Sequence, residues 1–238
     1  MMYKKETLSR LVRAAKVILS EMKKDLSDVH VCISKGNRKI GRVMNVSTMP
    51  LLACGNCKEC AGYCYDVKAC VRFPENVLKN RVKNYALAKY NRDRYFEEIA
   101  KACSRRRKNF FFRWHVAGDI LDKDYLERMC KMAEMFPNFK FWTYTKMYSL
   151  VNTYVAENGG SIAAAIPGNL VIMFSEWDGL KLENPYHFPT FSVKMAAGNK
   201  NHPAEYFETL FRCPGNCDIC KENNVGCVGG MDTYNDEH

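Results

Sequence analysis

Nine of the chain's twelve cysteines fall in two short blocks, and this grouping constrains the fold more than any other feature. The first block runs Cys54-x2-Cys57-x2-Cys60-x3-Cys64, with Cys70 following. The second runs Cys213-x3-Cys217-x2-Cys220-x6-Cys227. Thiols spaced this closely converge on a metal more readily than they pair as disulfides. Whatever the fold, it must hold two thiol-rich segments open for ligation.

The rest of the chain reads as an α/β protein. Leu8, Leu11, Val12, Ala15, Leu19 and Met22 recur at helical spacing with charges between them, which predicts an N-terminal amphipathic helix docked on the core. Residues 29–34 and 40–47 read as two β-rich runs around a turn at 35–39. The first cysteine block, 54–70, reads as a loop. Pro74 then opens a helical pattern that continues to about residue 102. Beyond it, strands at 110–116, 140–145, 170–175 and 189–193 alternate with helices at 123–136 and 148–158.

Such alternation argues for parallel βα units, and four or five of them are too few to close an eight-unit barrel. The expectation is a partial or open (β/α) barrel over residues 1–212, carrying the first block. Residues 213–238 form a cysteine-rich C-terminal extension, too poor in apolar residues for a core of its own, packed on the same domain.

The spacing of Cys54, Cys57, Cys60 and Cys64 is that of the bacterial ferredoxin run, with Tyr65 standing where that run has proline. These four are expected to hold a [4Fe–4S] cluster, and Cys213, Cys217, Cys220 and Cys227 a second. Zinc is the alternative metal, because Cys57-x2-Cys60 and Cys217-x2-Cys220 together suit a four-thiolate tetrahedral site. Cys32, Cys103 and Cys130 are isolated and read as small buried hydrophobes.

Ligands of parallel α/β folds meet the carboxyl ends of the strands. Arg113 and His115 are expected to share one face of their strand, opposite Phe112 and Trp114, with Gly118 and Asp119 directly following. Arg113, His115 and Asp119 are the candidate catalytic residues. Gly118, Asp119, Tyr144, Lys146, Ser175 and Glu176 are the candidate cofactor-binding residues, and the partner they suit is a small molecule. Thr145 and Asp178 read as strand ends meeting water. Arg113, set among aromatics, calls for Asp119, Glu176 or a ligand carboxylate as counter-charge, since an unpaired buried cation is costly.

The formal net charge is +10, and between Lys79 and Lys108 eleven Lys or Arg stand against three acids. That run is either a phosphate-tracking face for nucleic acid or a solvated helix surface. No stretch has the apolar length of a membrane span, so no membrane partner is expected. No signal-peptide core follows the first lysines, which predicts a cytoplasmic protein with reduced thiols.

Several short motifs, in this order, resemble the phage and plasmid family called gene product 88. They are Ser34-x-Gly36-Asn37-x-Lys39-x-Gly41, Cys60-x3-Cys64-Tyr65, Arg113-x-His115 with Gly118-Asp119, Tyr144-Thr145-Lys146, and the terminal cysteines. The resemblance implies a mobile element in a bacterial host and supplies no activity. The element order is also similar to that of radical S-adenosylmethionine enzymes. There a cluster loop follows the first strand, and the next strand ends in a turn that meets the cofactor's amino group, where this chain has Ala117-Gly118-Asp119. That superfamily's usual Cys-x3-Cys-x2-Cys is absent from the first block and present in the second, which looks more like an auxiliary cluster site. This likeness implies S-adenosylmethionine as a further cofactor and an electron donor as a partner. Two other readings stay open: a zinc-stapled nucleic-acid-binding protein, and a redox sensor whose cluster does no catalysis.

Overall fold

The computed structural model describes residues 2–238 except 39, 56, 58, 59, 109, 196–198, 237 and 238. Lys39 of the 35–39 turn and the last two residues of the extension thus lie outside the described residues. Seven parallel strands form one curled half-barrel sheet in the order β1-β2-β3-β4-β5-β7-β6. The strands are β1 (Met44–Asn45), β2 (Phe111–Arg113), β3 (Lys140–Thr145), β4 (Leu170–Ser175), β5 (Thr190–Lys194), β6 (Phe211–Arg212) and β7 (Thr233–Asp236).

Strand geometry sends alternate side chains to opposite faces, and each face has its own partner. On one face Phe112, Phe141, Ile172 and Phe174 join the main core. Helices α4 (Arg92–Ser104), α5 (Lys123–Met135) and α6 (Tyr148–Glu157) cover that face, contributing Tyr95, Phe96, Tyr125 and Val151. On the other face Trp142 and Met173 pack against α7 (Cys217–Asn223) and α8 (Gly226–Gly229) through Cys220, Cys227 and Val228. The second cysteine block therefore fills the inside of the half-barrel.

A third apolar cluster anchors the first block. The N-terminal helix α1 (Lys5–Lys24) buries Leu11 and Ala15 against Val67 and Cys70 of α2 (Tyr65–Arg72) and Val82 and Tyr85 of α3 (Lys79–Tyr90). The docked amphipathic helix matches the expectation.

Three local expectations are corrected. The first β-rich run pairs through a single antiparallel bridge, Ser34 with Asn45, and β1 is two residues long. The back half of the first block is helical, because Val67 and Cys70 give α2 an apolar stripe against α1. The expected helix from Pro74 to about 102 is broken at Asn91, whose backbone leaves helical geometry and whose side chain accepts from Arg94 N to cap α4. In addition, the extension supplies β7 to the sheet, inserted between β5 and β6.

Candidate functional site

After β1 the backbone stays paired with the β2 segment: Val116 N donates to Val46 O and Thr48 N to Ala117 O. The first cysteine block leaves from this point, at the carboxyl edge of the sheet. Cys54, Cys57, Cys60 and Cys64 lie within electrostatic reach of one another. Burial is the first cause that pushes the Cys54, Cys57 and Cys64 thiols above the ordinary range, so ligation there must release protons. Cys70 lies in the cluster beneath α1, its Sγ 3.8 Å from Asp66 Oδ2, and is a charge neighbour of Cys64.

Two anchors hold this block. Tyr3 N donates to Gly62 O at 2.6 Å, tying it to the start of the chain. Asp66, 2% exposed, receives two hydrogen bonds from Arg81, Nε to Oδ2 and Nη2 to Oδ1, both at 2.9 Å. Between them, Tyr65 donates its hydroxyl to Val116 O, across to the β2 segment.

Asp119 faces this set, being a charge neighbour of both Cys54 and Cys57. Its Oδ1 accepts from Ile120 N at 2.8 Å and its Oδ2 from Lys146 N at 3.0 Å. Burial raises its pKa against these hydrogen bonds. Gly118, at φ +92°, brings the chain so close to Thr48 that a Cβ would run into Thr48 Oγ1. Lys146 places its Nζ 3.0 Å from Ser175 Oγ and beside the Trp177 ring. Glu176 is buried, accepting from Ser192 Oγ and meeting His202 Nε2, each at 2.6 Å. His202 in turn stacks on Tyr206 at 3.7 Å.

The second set lies deeper. Cys213 is a charge neighbour of Cys217, Cys220 and Cys227. Burial pushes Cys220 up to about 11 and Cys227 to about 12, and the Thr233 hydroxyl donates to Met231 O at 2.8 Å. Arg113 lies over the Tyr144 ring at 4.6 Å and is a charge neighbour of Cys217, Tyr65 and Cys227.

Two site expectations are corrected here. Of the expected counter-charges for Arg113, neither Asp119 nor Glu176 serves: each has the other partners just described. Among the described residues Arg113 forms no ion pair, and its buried Nε has no hydrogen-bond partner. Nor do Arg113 and His115 share a face. β2 ends at Arg113, and His115, at φ +50°, turns into the helix-side core. There its Nδ1 meets Thr143 Oγ1 at 3.0 Å and its Nε2 meets the Tyr125 hydroxyl at 3.1 Å. Burial pulls its pKa down to about 3, so it stays neutral.

The structure thus brings Gly118, Asp119, Lys146 and Ser175 to the carboxyl edge near the first set. It brings Arg113 and Tyr144 to the second set, and His115 to neither. Glu176 belongs to the Ser192–His202 group. Sequence reading missed His202, which sits in a loop without periodicity, and Arg81, which reads as one more cation of a basic run. Tyr65 was visible as the residue after Cys64. Cys103 and Cys130 are buried in the main core as expected, but Cys32 is half-buried, with its Sγ 3.2 Å from Asn80 Oδ1. Of the eleven cations from Lys79 to Lys108, Lys79, Arg81, Arg92 and Arg94 are held in ion pairs with the chain's own carboxylates.

All twelve cysteines are free thiols. Among the described residues, no group of three or more His, Cys, Asp or Glu is placed to hold a metal ion. The donor types of the two blocks, four thiols each, are those of thiolate-ligated metal groups. Among the described residues, no helix is long and apolar enough to cross a membrane. No curated protein and no solved structure matches the chain. The family model described as Gene product 88 matches residues 17–227, and with that extent of match the chain belongs to the gene product 88 family.

Proposed function

We propose that the chain is an iron–sulfur protein of a mobile element that works as a radical S-adenosylmethionine-type enzyme with an auxiliary cluster. One observation carries this reading. The loop of Cys54, Cys57, Cys60 and Cys64 leaves β1 at the carboxyl edge of a parallel half-barrel and faces the Gly118-Asp119 turn after β2. Ligands of parallel α/β sheets gather at that edge.

Three of Cys54, Cys57, Cys60 and Cys64 would hold the first cluster and leave one iron open, and Cys213, Cys217, Cys220 and Cys227 would hold the second. Bound there, a [4Fe–4S] group would supply the electron for cleaving the C–S bond of S-adenosylmethionine. The chain's own residues bind and orient. Asp119, fixed by the Ile120 and Lys146 amides, accepts from an ammonium group; Lys146, steadied by Ser175, donates to a carboxylate.

Anaerobic purification followed by iron, acid-labile sulfide and zinc counts tests the metal. About eight irons per chain are expected for two cubanes. Adding S-adenosylmethionine to the reduced protein should then release 5′-deoxyadenosine. A zinc-loaded, iron-free protein would defeat the reading.

A further inference from the structure

α1 carries its positive charge on the side that packing leaves open. Leu11 and Ala15 turn inward onto α2 and α3, while Arg10, Arg13, Lys16 and Lys23 are exposed. Arg10, Arg13 and Lys16 follow at intervals of three residues, which sets like charges on neighbouring turns and weakens a helix. Among the described residues none of the four cations forms an ion pair: Glu6 does not pair with Arg10, and Glu21 is taken by Lys24. The helices beneath offer no counter-charge. α3 contains no acidic residue, and Asp66 of α2 is held by Arg81. At the far end of α1 a further cation joins the row: Lys23 and Lys89 of α3 both lie over the exposed Tyr90 ring, 4.8 and 5.6 Å from its centre.

From this row we propose that the exposed face of α1, continued onto Lys89, docks on the phosphate backbone of duplex DNA. From Arg10 to Lys23 the row extends about 20 Å along the helix axis, enough to meet several phosphates of one duplex. Each phosphate neutralised releases condensed counterions, which supplies affinity without reading sequence. A membrane surface suits the face less. A helix lying in lipid inserts its apolar side, and that of α1 is spent on α2 and α3. Single strands suit it less too, because stacking needs a bare aromatic platform and the Tyr90 ring already faces two lysines. Nothing in this rests on a metal in either thiol set.

The test is fluorescence anisotropy of a short labelled DNA duplex of mixed sequence, titrated with the full chain at several salt concentrations. Binding should weaken steeply, log K falling by about 0.9 per phosphate engaged for each tenfold rise in salt. Arg13→Ala and Lys16→Ala should each reduce that slope by about one, and together weaken binding further. Both changes place alanine on an exposed helix face, so folding is not put at risk. Lys131→Ala, on α5 and paired with Glu127, should leave the slope alone. No binding at low salt, or an unchanged slope in the double variant, would overturn the inference. So would loss of binding in Arg105→Ala with Arg107→Ala but not in the α1 variants, which would move the contact to the other basic run. Tighter capture by anionic phospholipid vesicles or by single-stranded RNA would overturn it in favour of those partners.

Discussion

His115 Nδ1 lies 3.0 Å from Thr143 Oγ1, and this contact fixes the imidazole on the helix side of the sheet, away from both thiol sets. With Tyr125 on the other nitrogen, the ring is a packed and satisfied part of the main core. Its folded-state pKa, about 3, lies below the ordinary value of 6.5 for histidine. The unfolded chain therefore binds a proton that the folded chain refuses between these two values. Stability from this group is complete above about pH 6.5 and falls as pH drops toward 3, by ~1.4 kcal/mol per pH unit at most. Urea denaturation of the wild type and of His115→Asn across pH 7 to 4 checks it. The variant should be less stable at pH 7 but show a shallower loss on acidification.

The Asp66–Arg81 pair locks the start of α2 to α3, directly after Cys64. Arg81→Met would leave a carboxylate that is 2% exposed without its partner, at a cost of about 3–5 kcal/mol. Asp66→Leu combined with Arg81→Met should recover most of that stability. Chemical denaturation of the wild type and the two variants decides the matter; equal losses in the single and double variants would refute the assignment.

Gly118→Ala should cost about 1–3 kcal/mol, because its φ of +92° strains any side chain and its Cβ meets Thr48. Adding Thr48→Ala removes the clash but not the strain, so only part of the loss should return. Denaturant midpoints of the pair measure the split.

Cys70 and Cys57 should behave differently. Cys70→Ser should leave the iron count per chain unchanged while lowering thermal stability, since Cys70 is fully buried beside Val67 and Leu78. Cys57→Ser should cost up to about four irons, one cubane's complement, with little change in stability. Iron counts beside thermal melts of both variants read this directly.

Much of the sheet was legible in the sequence, because β3 and β4 are apolar runs bounded by polar turns, and the observed strands start and stop where those patterns do. β7 was not legible. Thr233, Tyr234, Asn235 and Asp236 carry no apolar pattern, and they form a strand through backbone pairing with β5 and β6. The site was legible as a set of residue types at strand ends, but not as a set of faces. Simple alternation puts Arg113 and His115 together, whereas the strand ends after Arg113 and His115 itself takes a left-handed conformation. The pairing of Arg81 with Asp66 was equally hidden, because a cation in a basic run looks the same whether it faces solvent or a buried acid.

The insertion of β7 between β5 and β6 also orders events during synthesis. β6 has no partner other than β7 among the described strands, so residues 211–212 stay unpaired until 233–236 have left the ribosome. Cys213 follows β6 directly and donates its amide to Tyr234. Cys213 therefore takes its paired place only after the first cysteine block and strands β1 to β5 have been made.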